Sequence, residues 1–190
     1  MKNNPNPQGK GLVPVLESLT ALRTRIDIPA KQVEQIVCEL FTSLFVLKGQ
    51  FNFRPIVGHS YWLYYLDDIL KLSLIAPEEW HNDQFGKFVG KCILQLDMTW
   101  TLTLSDQIEH DESFLEYLTD QRELFKQNLA QQSQLKQALP VFDIKLPFYQ
   151  RVLASSLAYS LAVSIDKNVA AELEFKAVKA IELLPNKTAD

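Results

Sequence analysis

The chain has 190 residues, with 19 bases against 23 acids, a formal net charge of −4, and 47% apolar and 22% charged residues. These values suit one compact folded unit with a sizeable core and exclude a disordered, collagen-like or cysteine-framework protein. Two cysteines, Cys38 and Cys92, lie far apart inside apolar runs, which points to buried thiols in a reducing compartment.

Residues 1–11 are polar with two prolines and lack the apolar core of a signal peptide, so a flexible N-terminal arm and a cytoplasmic location are expected. Leu12, Val15, Leu16, Leu19 and Leu22 then recur at helical spacing and predict a short amphipathic helix. A second and longer stripe, Val33, Ile36, Val37, Leu40, Phe41, Leu44 and Phe45, predicts a helix from about Pro29 to Leu47. Asp27 is placed to cap it, and Gly49 stands where a left-handed residue would end it.

From Gln50 to Leu104 the period changes to two and aromatic and β-branched residues accumulate. Phe51 to Arg54 alternates, Ser60 to Leu66 and Leu70 to Ile75 are apolar runs divided by a turn at Asp67-Asp68, and Lys91 to Leu104 reads as one long strand. Pro77 to Trp80 predicts a short helical turn, and Gly86 and Gly90 mark turns before the last strand. In the strand from Ser60, alternation puts Tyr61, Leu63 and Tyr65 on one face and Trp62, Tyr64 and Leu66 on the other, so both faces are apolar. Such a sheet is covered on both sides or offers one face to a partner.

The helical period returns after Leu104. Ser113-Phe114-Leu115-Glu116 fits a capping box, so a long helix is expected from near Ser113 toward Leu139, stopped by Pro140. Phe148 to Ile165 and Ala170 to Leu184 predict two more helices. The charge-free stretch from Val152 to Ile165 falls well short of the ~20 residues that cross a bilayer, so no membrane association is expected.

No pattern in the chain specifies a reaction. His59, His81 and His110 occur singly, without a His-x-x-x-His or Cys-x-x-Cys pair, so neither a metal nor another cofactor is expected. Gln8-Gly9-Lys10-Gly11 lacks the spacing of a phosphate loop, and no serine sits in a Gly-x-Ser-x-Gly elbow. Tyr61, Trp62, Tyr64, Tyr65 and Trp100 are of the type that stacks on bases, yet residues 1–104 carry ten bases and ten acids and the remainder is net acidic. No cationic stripe would hold a phosphate backbone, and no nucleic acid is expected. Asp97 shares its strand face with Gln95 and Thr99, which turns it toward solvent.

Gly58-His59-Ser60-Tyr61-Trp62-Leu63-Tyr64, Leu72-Ser73-Leu74-Ile75-Ala76-Pro77-Glu78-Glu79-Trp80, and Gly90 followed by Leu94-Gln95-Leu96-Asp97-Met98-Thr99-Trp100-Thr101 resemble the core of the domain of unknown function 2452 family. Asn6-Pro7-Gln8-Gly9 with Gly11-Leu12-Val13 is similar to that family's opening, so the resemblance covers about the first 104 residues. The family usually has glycine where this chain has His81, and often glycine in the hairpin turn where it has Asp67-Asp68. The resemblance supplies no reaction or substrate. It implies that Tyr61, Tyr64, Pro77, Glu79, Trp80, Asp97 and Trp100 form one constellation, either a folding signature or a binding surface.

The expected structure is an α+β protein: N-terminal helices packed on an antiparallel sheet of about four strands (residues 12–104), followed by a helical part (105–190). The expected function is a non-enzymatic protein-interaction or structural module, with a protein partner or self-association as a homodimer through the C-terminal helices. Its candidate binding surface is Tyr61, Tyr64, Glu79, Trp80, Asp97 and Trp100. The alternative is a small-molecule-binding protein or enzyme using Glu79, Asp97, Tyr64 and His81 around a pocket near Trp80.

Overall fold

A computed structural model describes residues 30–79, 85–140, 146–168, 171 and 175. The predicted arm 1–11, the predicted helix 12–22 and the capping residue Asp27 lie outside the described residues. Helix α1 (Val33–Leu47) is followed by strands β1 (Ser60–Leu66), β2 (Ile69–Ser73), β3 (Lys87–Leu94) and β4 (Trp100–Leu104), then by helices α2 (Glu112–Gln131) and α3 (Phe148–Lys167). The class is α+β. The strands form one antiparallel sheet in the order β2-β1-β3-β4, so the connection from β2 to β3 crosses over β1.

α1 buries the predicted stripe, with Leu44 only half-buried, and also Ser43, Val46 and Leu47 on its flank. The flank is covered because α3 runs antiparallel beside it. Gln150 at the start of α3 donates to Gly49 O (2.8 Å) and Asn168 just past its end donates to Lys31 O (3.0 Å). The helix begins at Val33 behind Gln32, which makes no side-chain cap. Lys48 ends it with ordinary helical φ, and Gly49 is not left-handed either; a Cβ there would lie 3.0 Å from Val46 O and 3.3 Å from Leu63 Cδ1, so the glycine marks a tight approach of chain segments rather than a left-handed cap.

The turn between β1 and β2 forms as predicted, with Asp67 (φ 50°) and Asp68 (φ 62°) both left-handed, as a two-residue hairpin requires. Tyr65 OH donates to Asp68 Oδ1 at 2.6 Å, a contact glycine could not supply. Phe51 to Arg54 is not a strand. Only Gln50 bridges to Lys71 of β2, while Phe51 packs on Phe53 and Phe53 stacks on Tyr61 (5.5 Å), so the alternating rings cap the core instead; Pro55 has no amide with which to extend a ladder.

The predicted long strand from Lys91 to Leu104 is two strands. Met98 N–H donates to Gln95 O (3.0 Å), Gln95 N–H to Thr99 O (2.8 Å), and Met98 is left-handed (φ 67°), which closes a three-residue hairpin loop. Neither glycine nor proline marks it, hence the continuous reading of the sequence. Gly86 is left-handed where β3 opens, but Gly90 lies inside β3, at the register shift opposite Leu63 and Tyr64, and is not a turn.

α2 is capped by Asp111, whose carboxylate accepts from Phe114 N (3.0 Å); Ser113 Oγ bonds to Asp111 rather than forming the capping box. The hydrogen bond from Lys87 and those from Ser113 and the Phe114 amide pull the Asp111 carboxyl down to about 2. Asp111→Ala is expected to lower stability by about 1 kcal/mol in urea unfolding and Ser113→Ala by clearly less. A depressed carboxyl stabilises the fold above its ordinary value of 3.8 and ceases to do so as pH falls toward 2, so the Asp111→Ala deficit should vanish on acidification. α2 ends at Gln131, not near Leu139. A 3-10 turn, Leu135–Ala138, follows, because leaving the helix lets Leu135 and Leu139 enter the core beside α3. Of the predicted helix 170–184, only Ala171 and Phe175 are described, both helical and buried.

The core lies between the sheet and the three helices. Tyr65 meets Phe114 (5.4 Å) and Tyr117 (5.1 Å), and Phe41 meets Phe125 (5.3 Å), so α2 shares one core with the sheet and α1.

Candidate functional site

Strand alternation separates the aromatic residues of the expected site. Tyr61 and Trp100 point into the core and meet edge to face at 5.7 Å; both are buried. The Tyr61 hydroxyl accepts from Ile56 N (2.6 Å), and Trp100 N donates to Ser43 Oγ of α1 (2.9 Å). The Trp100 indole Nε1 is buried without an acceptor, a cost that the packing of its large ring offsets. These two rings hold the sheet to α1, and neither presents a face to solvent.

Tyr64 points the other way. The connection from β2 to β3 covers it: Phe85 lies at 6.0 Å, Phe88 of β3 at 5.7 Å, and the Tyr64 hydroxyl donates to Ile75 O at 3.0 Å. Glu79 is exposed on the 3-10 turn Pro77–Glu79, where its carboxylate accepts from Ala76 N at 3.5 Å and closes its own turn. Trp80 and His81 lie outside the described residues.

Asp97 sits in the β3–β4 loop, so the alternation that turned it outward does not apply. It accepts from Thr99 N (3.2 Å) and Thr99 Oγ1 (2.6 Å), and pairs with Lys31 Nζ at 2.5 Å. Lys31 is 8% exposed and also pairs with Glu39 of α1 at 2.5 Å. Burial drives the Lys31 pKa down, but hydrogen bonds to Asp97 and Glu39 outweigh it and leave the pKa raised. Burial likewise works against the charged Asp97, and hydrogen bonds from Lys31 and Thr99 overcome it and hold the carboxyl below its usual range. The ammonium therefore stays charged and committed, and both carboxylate oxygens of Asp97 have partners.

Lys31 was absent from the expected site. Its partner is 66 residues away, and no spacing rule joins them. The local signal for Asp97 was Asp97-Met98-Thr99 itself, an aspartate accepting from the amide two residues on, as in an Asx turn. Lys31 thus ties the start of α1 to the β3–β4 loop, while its carbonyl takes Asn168 from beyond α3.

Other chemistry-bearing groups are dispersed. Cys92 is buried and Cys38 half-buried; neither is in a disulfide, and burial raises both thiol pKa values, with Glu34 and Glu39 adding to the effect at Cys38. Among the described residues no group of three or more His, Cys, Asp or Glu side chains is arranged to hold a metal. A small apolar cavity lies between Phe41 and Phe45 of α1, Leu102 and Leu104 of β4, and Phe114 and Leu118 of α2; no titratable group lines it. None of the described helices is long and apolar enough to cross a membrane.

Four apolar side chains are exposed around the end of the sheet where β1 begins and β3 stops: Leu96 (67%), Leu74 (58%), Ile56 (55%) and Ile75 (38%). Ile56 is in the segment leading into β1, which Gly58 N fastens to Leu94 O (2.8 Å); Leu74 and Ile75 follow β2; Leu96 is in the β3–β4 loop. Sequence periodicity placed Leu74, Ile75 and Leu96 inside strands, but β2 ends at Ser73 and β3 at Leu94, which leaves these three in connections, as Ile56 is before β1.

The family described as protein of unknown function (DUF2452) matches residues 15–122, more than half of the chain, from ahead of α1 through the whole sheet into α2. The chain belongs to this family. The DUF2452 match extends past the expected limit near residue 104 to include Phe114 and Tyr117, the α2 rings that pack on Tyr65. No curated protein and no solved structure matches the chain.

Proposed function

We propose that this DUF2452 protein is a non-enzymatic protein-interaction module and that its contact surface is the apolar end of the sheet. The observation that carries this reading is the exposure of Leu96, Leu74, Ile56 and Ile75 around one sheet end, since grouped apolar side chains left in water favour association with an apolar partner surface. Its support includes the use already made of the aromatic and acidic residues: Tyr61 and Trp100 serve the core, Tyr64 is under its own connection, and Asp97 is bound to Lys31 and Thr99. A reaction centred on Asp97 and Glu79 would need both to reach one substrate, and both Asp97 oxygens are already engaged by Lys31 and Thr99.

A photoreactive benzoyl-phenylalanine in place of Leu96, in the full chain expressed in its native cells, tests the reading. The expected product is a discrete protein adduct, weakened about tenfold when Ile56→Ser and Leu74→Ser are added. An adduct to a second copy would make the module self-associating. Irradiation yielding no protein adduct overturns the reading.

A further inference from the structure

We infer that the outer edge of β4 docks an extended segment of another protein, which adds a further strand beside Leu102 and Leu104 and sets a small aliphatic side chain into the cavity between α1, α2 and β4. This is a second contact, along the side of the sheet rather than at its apolar end, and it does not depend on the first.

Gln95 N–H donates to Thr99 O (2.8 Å) and Ser105 N–H to Val89 O (2.9 Å), so along this hairpin Thr101 and Thr103 exchange the bonds with β3. The N–H and C=O groups of Leu102 and Leu104 therefore point away from the sheet, as does the N–H of Trp100, which Ser43 Oγ takes (2.9 Å). No donor or acceptor among the described residues meets those of Leu102 and Leu104, although Leu102 is only 7% exposed. Backbone groups so placed are costly to leave unmade, and an extended chain matches their spacing.

The opposite edge shows the contrast. There Gln50 donates to Leu70 O (2.7 Å) and accepts from Leu72 N (3.1 Å), so β2 is already covered. β4, Trp100-Thr101-Leu102-Thr103-Leu104, has no such cover and none of the charge or proline that guards an edge.

A residue paired with Leu102 or Leu104 carries its side chain on the same face of the sheet as theirs, toward Phe41 and Phe45 of α1 and Phe114 and Leu118 of α2. The cavity there is apolar, small and partly open, and a charged side chain entering it would lose its water without gaining a partner. A second copy fits less well. Ser43 reaches the outward N–H of Trp100, so α1 overhangs the start of this edge, and two-fold pairing of β4 strands would crowd two such helices on one face of the joined sheet.

The test begins with amide hydrogen exchange in the full chain, purified and dilute. The Leu102 and Leu104 amides should exchange at least about tenfold faster than those of Thr101 and Thr103. The same chain is then screened against a phage-displayed library of random heptapeptides, and an enriched peptide is synthesised. Its binding should slow exchange at Leu102 and Leu104. N-methylation at alternate peptide residues should weaken binding about tenfold, and at the residues between by clearly less. Leu102 and Leu104 amides already protected in the dilute chain mean that its own residues hold the edge, and protection that appears only on concentration means that a second copy does; either overturns the proposal. So does a library that yields no binder, or one whose binder leaves those two amides unprotected. Should that binder perturb Leu96 and Ile56 instead, the reading of the sheet end stands and only the β4 site is wrong.

Discussion

Gly90→Ala is expected to be among the most damaging single substitutions in the sheet. The added Cβ would stand 2.1 Å from Thr103 O and 2.9 Å from its carbonyl carbon, and the obstacle is the backbone of β4, not a side chain that can swing aside. The chain has to separate two paired strands at the register shift of β3, beside β4, which α1 packs against. Overpacking of this kind costs about 3 kcal/mol, which in a chain of this size lowers Tm by roughly 6–12 °C. Gly58→Ala is the comparison. Nothing lies within 4 Å of a Cβ there, and only the left-handed φ of +79° is lost, for a cost of about 1 kcal/mol. Thermal and urea unfolding of both variants would contradict the close-approach reading if Gly90→Ala proved no worse than Gly58→Ala.

Lys31→Met should be comparably severe. It removes the cation that sits 2.5 Å from both Asp97 and Glu39, and leaves two part-buried carboxylates facing an apolar side chain. Breaking a buried pair from one side costs about 3–5 kcal/mol, because the charge left behind has lost its compensation. In an Asp97→Asn background the same substitution should cost at least about 1 kcal/mol less, the coupling that a double-mutant cycle isolates. The pH dependence follows from the two directions of shift. Asp97, held below its ordinary 3.8, stabilises the fold above that value and stops doing so as pH falls through its folded pKa. Lys31, held above 10.5, stabilises it below that value and stops as pH rises through its folded pKa. The difference between the native chain and Lys31→Met should therefore be flat through neutral pH and shrink at both extremes. A difference that shrank already near neutrality would mean the pair is solvated.

Both predictions concern residues whose importance the amino-acid order conceals. Gly90 read as a turn, because a glycine in a run of strand residues marks either a bend or a place where another backbone comes close, and only the neighbouring strand decides which. Asp97 read as solvent-facing because alternation was extended through a loop that lacks glycine and proline. Met98 adopts the left-handed conformation there, and the Asp97 carboxylate, by accepting from Thr99, holds the loop in shape. The rule of alternation was sound in β1, where Tyr61 and Tyr65 enter the core and Tyr64 lies under the opposite cover.

What could be read in one dimension was whatever repeats within a segment. The apolar stripe of α1, the strand from Ser60 to Leu66 and its two-aspartate turn, the helix from Phe148, and so the α+β class, all follow from periods of 3.6 and 2, which neighbouring residues impose on one another. The pairing of Lys31 with Asp97, the burial of Tyr61 against Trp100 and the exposure of Leu96, Ile56 and Leu74 at one end of the sheet involve residues far apart in the chain. Such arrangements depend on which strands lie side by side and where α1 crosses them, and no local period encodes that. For the candidate surface the consequence is direct: Tyr61 and Trp100 were drawn into the core, while Leu74, Ile75 and Leu96, which the sequence placed in strands, stay in water because the strands end before them.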